Sequence, residues 1–79
     1  MRILQRHGLD FAQAEQVFQG PTFTFEDIRR DYGERRWVTL GLLAADVVVI
    51  VHTESEDEIR IISMRKGERH EEKLYFENL

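Results

Sequence analysis

The stretch RWVTLGLLAADVVVIV, residues 36–51, predicts two neighbouring β-strands. From Arg36 to Leu42 every second residue is a large aliphatic one, which is the period of a strand with one face buried. The aliphatic residues that share this face are Val38, Leu40 and Leu42. From Val47 to Val51 every residue is apolar, as in a central strand that is covered on both faces. We therefore expect the sheet to be built around residues 47–51.

The segments on either side extend this pair of strands into a meander. After a turn at residues 54–57, the chain is expected to return as a strand over residues 58–63. Upstream, residues 22–25 alternate Thr and Phe, which indicates a further half-buried strand. Residues 26–34 form a charged loop between the first two strands. Four consecutive strands joined in this way predict a mainly antiparallel sheet.

Helices are predicted at both ends of the chain. Residues 2–7 resemble the end of a first helix, and Gly8 suits the position just past a helix C-terminus. Asp10 suits the N-cap of a second helix, whose apolar residues recur at helical spacing. Residues 66–75 predict a polar C-terminal helix. The expected fold class is α+β, with N-terminal helices packed on a four-stranded, mainly antiparallel sheet and a C-terminal helix, in a single domain over residues 1–79.

The composition restricts the class of protein. The chain has 79 residues, of which 42% are hydrophobic and 33% are charged, and its formal net charge is −4. It has no cysteine, which excludes disulfides and thiolate metal sites. No apolar run approaches the roughly 20 residues of a membrane span, and the start MRILQRHG is too short and polar for a signal peptide. We expect a soluble cytoplasmic domain.

Positive charge is clustered even though the net charge is negative. Residues 65–73 hold four Lys or Arg and three Glu, and residues 29–36 hold four Arg and two acids. If the strands pair as a meander, the cations at the strand ends converge on one rim, where the planar fork of arginine matches phosphate oxygens. These cations are Arg36, Arg60, Arg65 and Lys66. The spacing alone favours the alternative, which is a solvated strand end with surface ion pairs to Glu68 and Glu71.

Three histidines are the side chains that ordinarily titrate near neutral pH. His7 suits either a cap at the end of a helix or a contact to phosphate. His52 ends an apolar strand, where a packed position at the rim is the simpler interpretation. His70 lies on an exposed helix. The three do not have the spacing of a zinc motif, so no metal site is predicted.

Two further sets of residues have alternative roles. Glu71 and Tyr75 are four residues apart on one face of the predicted helix. They could orient Arg65, supply an acid or base, or simply dock the helix on the sheet. Trp37 and Tyr32 could stack on an unpaired base, although a Trp in a strand is more often part of a core.

Several motifs together resemble the BrnT family. They are RHG at residues 6–8, GERRWVTLGL at 33–42, VVVIVHTE at 47–54 and IRIISMRKGERHEEKLY at 59–75. The resemblance implies the toxin of a bacterial type II toxin–antitoxin pair, with a RelE-like fold and a ribonuclease activity that needs no metal or other cofactor. It also implies neutralisation through direct binding of a cognate, BrnA-like antitoxin. The alternative class is a toxin-fold protein that is not catalytic and acts only as a protein-binding module.

The resemblance and the charge pattern together suggest roles for individual residues. Cleavage through the 2′-hydroxyl of RNA needs a base, an acid and cations around the pentacoordinate phosphate. The expected catalytic residues are Arg60, Arg65, His7, Glu71 and Tyr75, and the expected RNA-binding residues are Arg36, Lys66, Trp37 and His52. The thin core predicts a homodimer, or a heterotetramer with the antitoxin. The acidic turn at residues 54–58 suits a basic antitoxin segment.

Two features depart from the family pattern. The chain begins inside the predicted first helix, so we expect the N-terminal strand of the family to be missing. The family segment RKAT is replaced by Arg65-Lys66-Gly67-Glu68, and the added Glu68 is expected to weaken phosphate affinity. Residues 77–79 match the start of a protease-cleavage tag and have no functional role in this interpretation.

Overall fold

The computed structural model describes residues 2–4 and 11–79, which form one β-sheet with a helix on each face. In chain order the elements are β1 (Arg2–Leu4), α1 (Phe11–Gln19), β2 (Thr22–Glu26), β3 (Trp37–Leu43), β4 (Asp46–Glu54), β5 (Glu58–Lys66) and α2 (Arg69–Glu77). The strands lie in the order β1-β5-β4-β3-β2. Strands β2 to β5 form an antiparallel meander, and β1 runs parallel to β5. The predicted α+β class with a mainly antiparallel sheet is confirmed.

The predicted helix over residues 2–7 is wrong for the part that the structure describes. Residues 2–4 form strand β1, which pairs with residues 58–60 of β5. Within residues 2–4 and 11–21, therefore, a single helix, α1, precedes the meander, rather than several. A segment of three residues is too short to show either helical or strand periodicity, so its state is decided by the neighbouring strand. The chain thus has a strand, β1, before α1.

The boundary between β5 and α2 also differs from the prediction. Strand β5 continues past Ser63 to Lys66, because Arg65 and Lys66 pair with Val49 and Val48 of β4. Helix α2 then begins at Arg69 instead of at residue 66. The charged residues at this end of the strand have no apolar alternation, so the sequence pattern did not reveal their strand conformation.

The two faces of the sheet carry separate apolar clusters. Alternate residues of β4 point to opposite sides, so Val48 and Ile50 pack with α1 whereas Val47 and Val49 pack with α2. All four residues are buried and Val51 is half-buried, which confirms the prediction of a central strand covered on both sides. We call these two sides of the sheet the α1 face and the α2 face.

Tyr75 anchors helix α2 to the sheet. Its side chain is fully buried, and its hydroxyl donates a hydrogen bond of 2.8 Å to the carbonyl oxygen of Pro21. At the other end of the helix, the Glu71 carboxylate accepts a hydrogen bond of 2.9 Å from the backbone N–H of Glu68. Such a bond satisfies one of the N–H groups that a helix N-terminus leaves without a partner. Helix α2 is thereby fixed at both ends over one part of the α2 face.

Gly41 lies where α1 packs against β3. A Cβ atom at this position would come 2.5 Å from Cγ1 of Val17, whose side chain is fully buried. We predict that Gly41→Ala lowers the free energy of unfolding by about 1–3 kcal/mol, because overpacking a core forces side chains and backbone to move. The urea midpoint measures this loss.

Gly20→Ala is the matched control for this substitution. A Cβ atom there would come no closer than 3.8 Å to the Val17 carbonyl oxygen, which is an ordinary contact. Its urea midpoint should remain close to that of the parent protein. Equal midpoints for Gly41→Ala and the parent would contradict the close packing of α1 on β3.

Candidate functional site

A groove of about 400 Å³ crosses the α2 face beside the start of α2. Its floor is apolar, and arginine–carboxylate pairs stand on two sides of it. The residues that line it are Phe25, Glu26, Asp27, Ile28, Arg29, Val38, Val49, Val51, Arg65 and Glu71. We call it the arginine groove.

One wall of the arginine groove is an ion pair between the end of β5 and the start of α2. Arg65 donates from Nη1 to Oε1 of Glu71 and from Nη2 to Oε2, both at 2.7 Å. The hydrogen bond from Arg65 lowers the pKa of Glu71 to about 2, so this carboxylate is ionised at neutral pH. The same bond raises the pKa of Arg65. The Glu71 side chain is 13% exposed and that of Arg65 is 51% exposed, so the guanidinium is held in place but remains accessible.

The opposite wall is formed by the loop that follows β2. The buried carboxylate of Asp27 accepts hydrogen bonds from Nε and Nη2 of Arg29, both at 2.9 Å, and from the backbone N–H of Arg29 at 3.2 Å. The Tyr32 hydroxyl donates a further bond of 3.0 Å to this carboxylate. These bonds, chiefly the one from the Arg29 side chain, hold the pKa of Asp27 well below its usual range. Arg29 itself is 75% exposed, so only its carboxylate partner is buried.

Arg36 supports this loop from behind. Its guanidinium carbon lies 4.1 Å from the centre of the Tyr32 ring, and its Nε lies 3.7 Å from Oε1 of Glu34. Its carbonyl oxygen accepts a bond of 2.8 Å from the backbone N–H of Asp27. The cation–π contact occupies one face of the Tyr32 ring, which was a candidate for stacking on a base. Arg36 thus lies behind the Asp27–Arg29 wall and does not line the arginine groove.

Arg60 and Arg65 lie on the same face of the sheet but in different grooves. Val51 pairs with Ser63 and His52 pairs with Ile61, so one residue of β5 has no partner in β4. Residues five positions apart in a regular strand point to opposite faces, but this bulge puts Arg60 and Arg65 on the same face. Arg60 lines a second groove of about 260 Å³ near the β4–β5 turn. The other residues of this second groove are Glu34, Arg35, Thr53, Glu54, Ser55 and Glu58. The expected convergence of Arg60 and Arg65 in one site is therefore not found.

Three predicted RNA-binding residues, Lys66, Trp37 and His52, lie on the α1 face, on the other side of the sheet from the arginine groove. Lys66 pairs with Val48 on the α1 face, and its Nζ lies 3.7 Å from Oδ1 of Asp46. Trp37 is half-buried opposite His52 in the β3–β4 pairing. These side chains therefore do not line the arginine groove.

His52 is fully buried on the α1 face. Its Nε2 is 2.7 Å from the Thr39 hydroxyl, and the edge of the Phe18 ring packs against it at 5.4 Å between ring centres. Burial lowers the pKa of His52 to about 4, so the ring is neutral at pH 7. A side chain with no exposed surface is not available for an RNA contact, so His52 is placed as a core residue in this structure.

Of the three remaining predicted catalytic residues, the structure describes Tyr75 and Glu71. His7 lies outside the described residues. Tyr75 lies in the core, and its hydroxyl is occupied by the Pro21 carbonyl oxygen, which matches the helix-docking alternative. Glu71 orients Arg65, which was one of the three roles considered for it.

Asp27 and Arg29 were not predicted as site residues from the sequence. The sequence signal for this pair is local. The Asp27 side chain accepts a hydrogen bond from the backbone N–H two residues later, which is a common type of turn in which the Asp side chain replaces a backbone acceptor. Arg29 belongs to the basic cluster of residues 29–36, but no role was predicted for it.

Among the described residues, no three His, Cys, Asp or Glu side chains are grouped so that they could hold a metal ion. Nor does that part of the chain include a helix long and apolar enough to span a membrane.

Most of the chain, including the arginine groove, matches a known protein family. Residues 2–71 match the family model for BrnT, the ribonuclease toxin of a type II toxin–antitoxin system. The chain belongs to the BrnT family. The matched range contains both walls of the arginine groove, from Asp27 and Arg29 to Arg65 and Glu71. No curated protein and no solved structure matches the chain. A type II system pairs its toxin with an antitoxin, so membership of the BrnT family implies an antitoxin partner.

The Arg65–Glu71 pair should stabilise this BrnT protein only while Glu71 is ionised. The folded-state pKa of about 2 lies below the ordinary value of 4.5, so the contribution is complete above about pH 5 and is lost as the pH falls towards 2. At pH 7, Glu71→Gln should lower the free energy of unfolding by on the order of 1 kcal/mol, because Arg65 is half exposed to solvent. Urea unfolding at several pH values should show this difference shrinking below pH 4.5.

Glu72→Gln, one residue along the same helix, is the control and should show no such trend. A difference for Glu71→Gln that stays constant down to pH 3 would contradict the ion pair.

His52 should make the fold less stable in mild acid. Because its pKa falls from 6.5 to about 4 on folding, the unfolded chain binds a proton before the folded chain does. The free energy of unfolding should therefore decrease by roughly 2 kcal/mol between pH 7 and pH 5. Attraction between the protonated His52 ring and the Glu54 carboxylate reduces this decrease. That carboxylate lies 3.7 Å from Nδ1 of His52. His52→Gln should remove this decrease, whereas His70→Gln on the exposed side of α2 should retain it. Identical pH profiles for the parent and His52→Gln would show that the buried ring does not control this range.

Proposed function

We propose that this chain is the endoribonuclease toxin of a type II pair, with a RelE-like fold, and that it cleaves RNA at the arginine groove without a metal ion. The observation that carries the proposal is the bidentate Arg65–Glu71 pair, which holds an accessible guanidinium at the edge of a groove with an apolar floor. Membership of a ribonuclease toxin family supports the reaction type. A fixed guanidinium is suited to phosphate because it remains charged and offers paired donors.

The proposed reaction is attack by the 2′-hydroxyl of RNA on the adjacent phosphate. The bond from the 2′-oxygen to phosphorus forms, the bond from phosphorus to the 5′-oxygen breaks, and the products carry a 2′,3′-cyclic phosphate and a 5′-hydroxyl. The proton lost by the 2′-hydroxyl goes to a base, and the leaving 5′-oxygen takes a proton from an acid. Arg65 would stabilise the negative charge that accumulates on the pentacoordinate phosphate.

The described side chains in the arginine groove favour charge stabilisation over proton transfer. Glu71 is held ionised, and both of its oxygens accept bonds from Arg65, so it supports the arginine and is poorly placed as an acid. The Tyr75 hydroxyl is committed to the core. His7 therefore remains the proposed proton-transfer residue. A guanidinium fixed before substrate binds needs little reorganisation during the reaction, which is the condition for effective electrostatic catalysis.

The other proposed RNA contacts lie outside the arginine groove. Arg60 lines the neighbouring groove on the same face, where it would meet a flanking nucleotide instead of the scissile phosphate. Lys66 lies on the α1 face and would add to RNA affinity only through its positive charge, and Arg36 would act only through the loop that it supports. Trp37 also lies on the α1 face, so no contact to RNA in the arginine groove is proposed for it. A BrnA-like antitoxin would neutralise the toxin by direct binding. The acidic β4–β5 turn is a suitable contact for a basic antitoxin segment, and a homodimer or a heterotetramer with the antitoxin remains the predicted assembly.

The decisive substitution for this proposal is Arg65→Ala. If Arg65 stabilises the transition state, its loss should lower the rate of RNA cleavage by roughly 10²–10³. Arg65→Lys should recover only part of the rate, because an ammonium group lacks the fork that Glu71 holds. The rate is measured with purified protein, a single-stranded RNA and a chelator. Circular dichroism verifies that each variant is folded.

Arg69→Ala is the matched control, because Arg69 is exposed on the first turn of α2 and lies outside the residues that line the groove. It should cleave RNA at close to the parent rate. If Arg65→Ala is folded and as fast as the parent, the arginine groove is not the active site. Absence of cleavage by the parent itself, together with antitoxin binding, would favour the alternative of a non-catalytic binding module.

A further inference from the structure

We propose that Arg29 is a second RNA-binding arginine, which contacts a phosphate from the wall of the groove opposite Arg65. This inference rests on the proposed function, because it takes RNA as the ligand of the arginine groove. It assigns a role to a residue that lies far from Arg65 in the sequence. The fold brings the two together, because Arg29 follows β2 and Arg65 ends β5, and both line the same groove.

Arg29 is held in a fixed position by its partner. Asp27 accepts its Nε and Nη2 as well as its backbone N–H, so the guanidinium is attached at one edge. The Tyr32 hydroxyl, which donates to the same carboxylate, also interacts with this guanidinium, and the Arg29 side chain remains 75% exposed. An exposed arginine that its neighbours already hold in place loses little conformational freedom when it binds an anion. The loop therefore presents a prepared donor towards solvent at the groove.

The two arginines are close enough to affect one another. The positive charge of Arg29 acts against the rise in the pKa of Arg65 that Glu71 produces. Like charges on opposite walls of one groove repel, and an anion between them would relieve that repulsion. Glu71 is engaged with Arg65, and Asp27 is buried under Arg29. The third acid that lines the groove, Glu26, lies 3.6 Å from Nε of Arg35.

The floor of the arginine groove indicates which part of an RNA it would accept. Phe25, Val38, Val49 and Val51 give it an apolar surface between the two walls. An unpaired nucleotide fits this combination, because its base or sugar can lie on apolar side chains while its phosphate reaches the arginines. A paired base would be stacked within a helix and unable to reach the floor. The expected ligand is therefore a single-stranded segment.

The test compares two neighbouring arginines of the same loop. The probe is a single-stranded RNA oligonucleotide with a 2′-deoxy sugar at the cleavage position, so that binding is measured without reaction. Fluorescence anisotropy should show that Arg29→Ala raises Kd by roughly tenfold, and that the slope of log K against log salt falls by about 0.7, as for the loss of one phosphate contact. On a cleavable RNA, KM should rise more than kcat falls. Arg30→Ala is the matched control, since Arg30 lies next in the chain but outside the groove, and its Kd should stay within about twofold of the parent.

A second variant covers the case in which Arg29→Ala fails to fold, because Asp27 would then be buried without its cation. Arg29→Lys keeps a positive charge beside Asp27 and removes the fork. It should fold and still raise Kd by roughly threefold or more. Binding by folded Arg29→Ala or Arg29→Lys that equals that of the parent, while Arg65→Ala is impaired, would overturn the role of Arg29 and leave the proposed function standing. If Arg65→Ala is also unimpaired, the proposed function itself fails.

Discussion

The bidentate ion pair between Arg65 and Glu71 is the interaction on which the candidate site depends. It joins the last strand of the meander, β5, to the first turn of α2 across a link of two residues, and the same carboxylate accepts the N–H of Glu68. Because both oxygens of Glu71 accept bonds from Arg65, the carboxylate stays ionised and the guanidinium is held at the edge of the arginine groove. A surface arginine would ordinarily lose much side-chain entropy when it binds phosphate, and here the fold has largely removed that cost.

The packing of the two helices explains why the arginine groove lies on the α2 face. Helix α1 packs against the α1 face through Ala14 and Val17, and Gly41 allows its close approach. On the other face, Tyr75 anchors α2 near Pro21, so the helix leaves the Val38, Val49 and Val51 side chains as the floor of an open groove. The loop after β2 then supplies the second wall, which the buried Asp27 carboxylate organises. The same ion-pair design, with a shielded carboxylate and an accessible arginine, thus occurs on both walls.

The central part of the fold was predictable because its physical signal is local. Alternation in residues 36–42 and the continuous apolar run of residues 47–51 identify β3 and β4 from side-chain period alone. Strand β1 was not predictable, because three residues show no period and their conformation depends on pairing with β5. The bulge in β5 was also hidden, and it decides that Arg60 and Arg65 share a face. Arg65 and Glu71 were identified through the family resemblance. The position of Arg29 at the same groove became visible only in the tertiary structure, because Arg65 on the opposite wall is 36 positions away in the chain.

We propose above all that RNA phosphate binds between the two arginine-bearing walls of the α2 face. The most direct test is an NMR titration that follows the Nε–Hε signals of the arginines while a 2′-deoxy-substituted, single-stranded RNA is added. The signals of Arg65 and Arg29 should shift together and saturate at the same RNA concentration, and those of Arg30 and Arg69 should stay in place. Saturable binding that leaves the Arg65 and Arg29 signals unchanged would contradict the account.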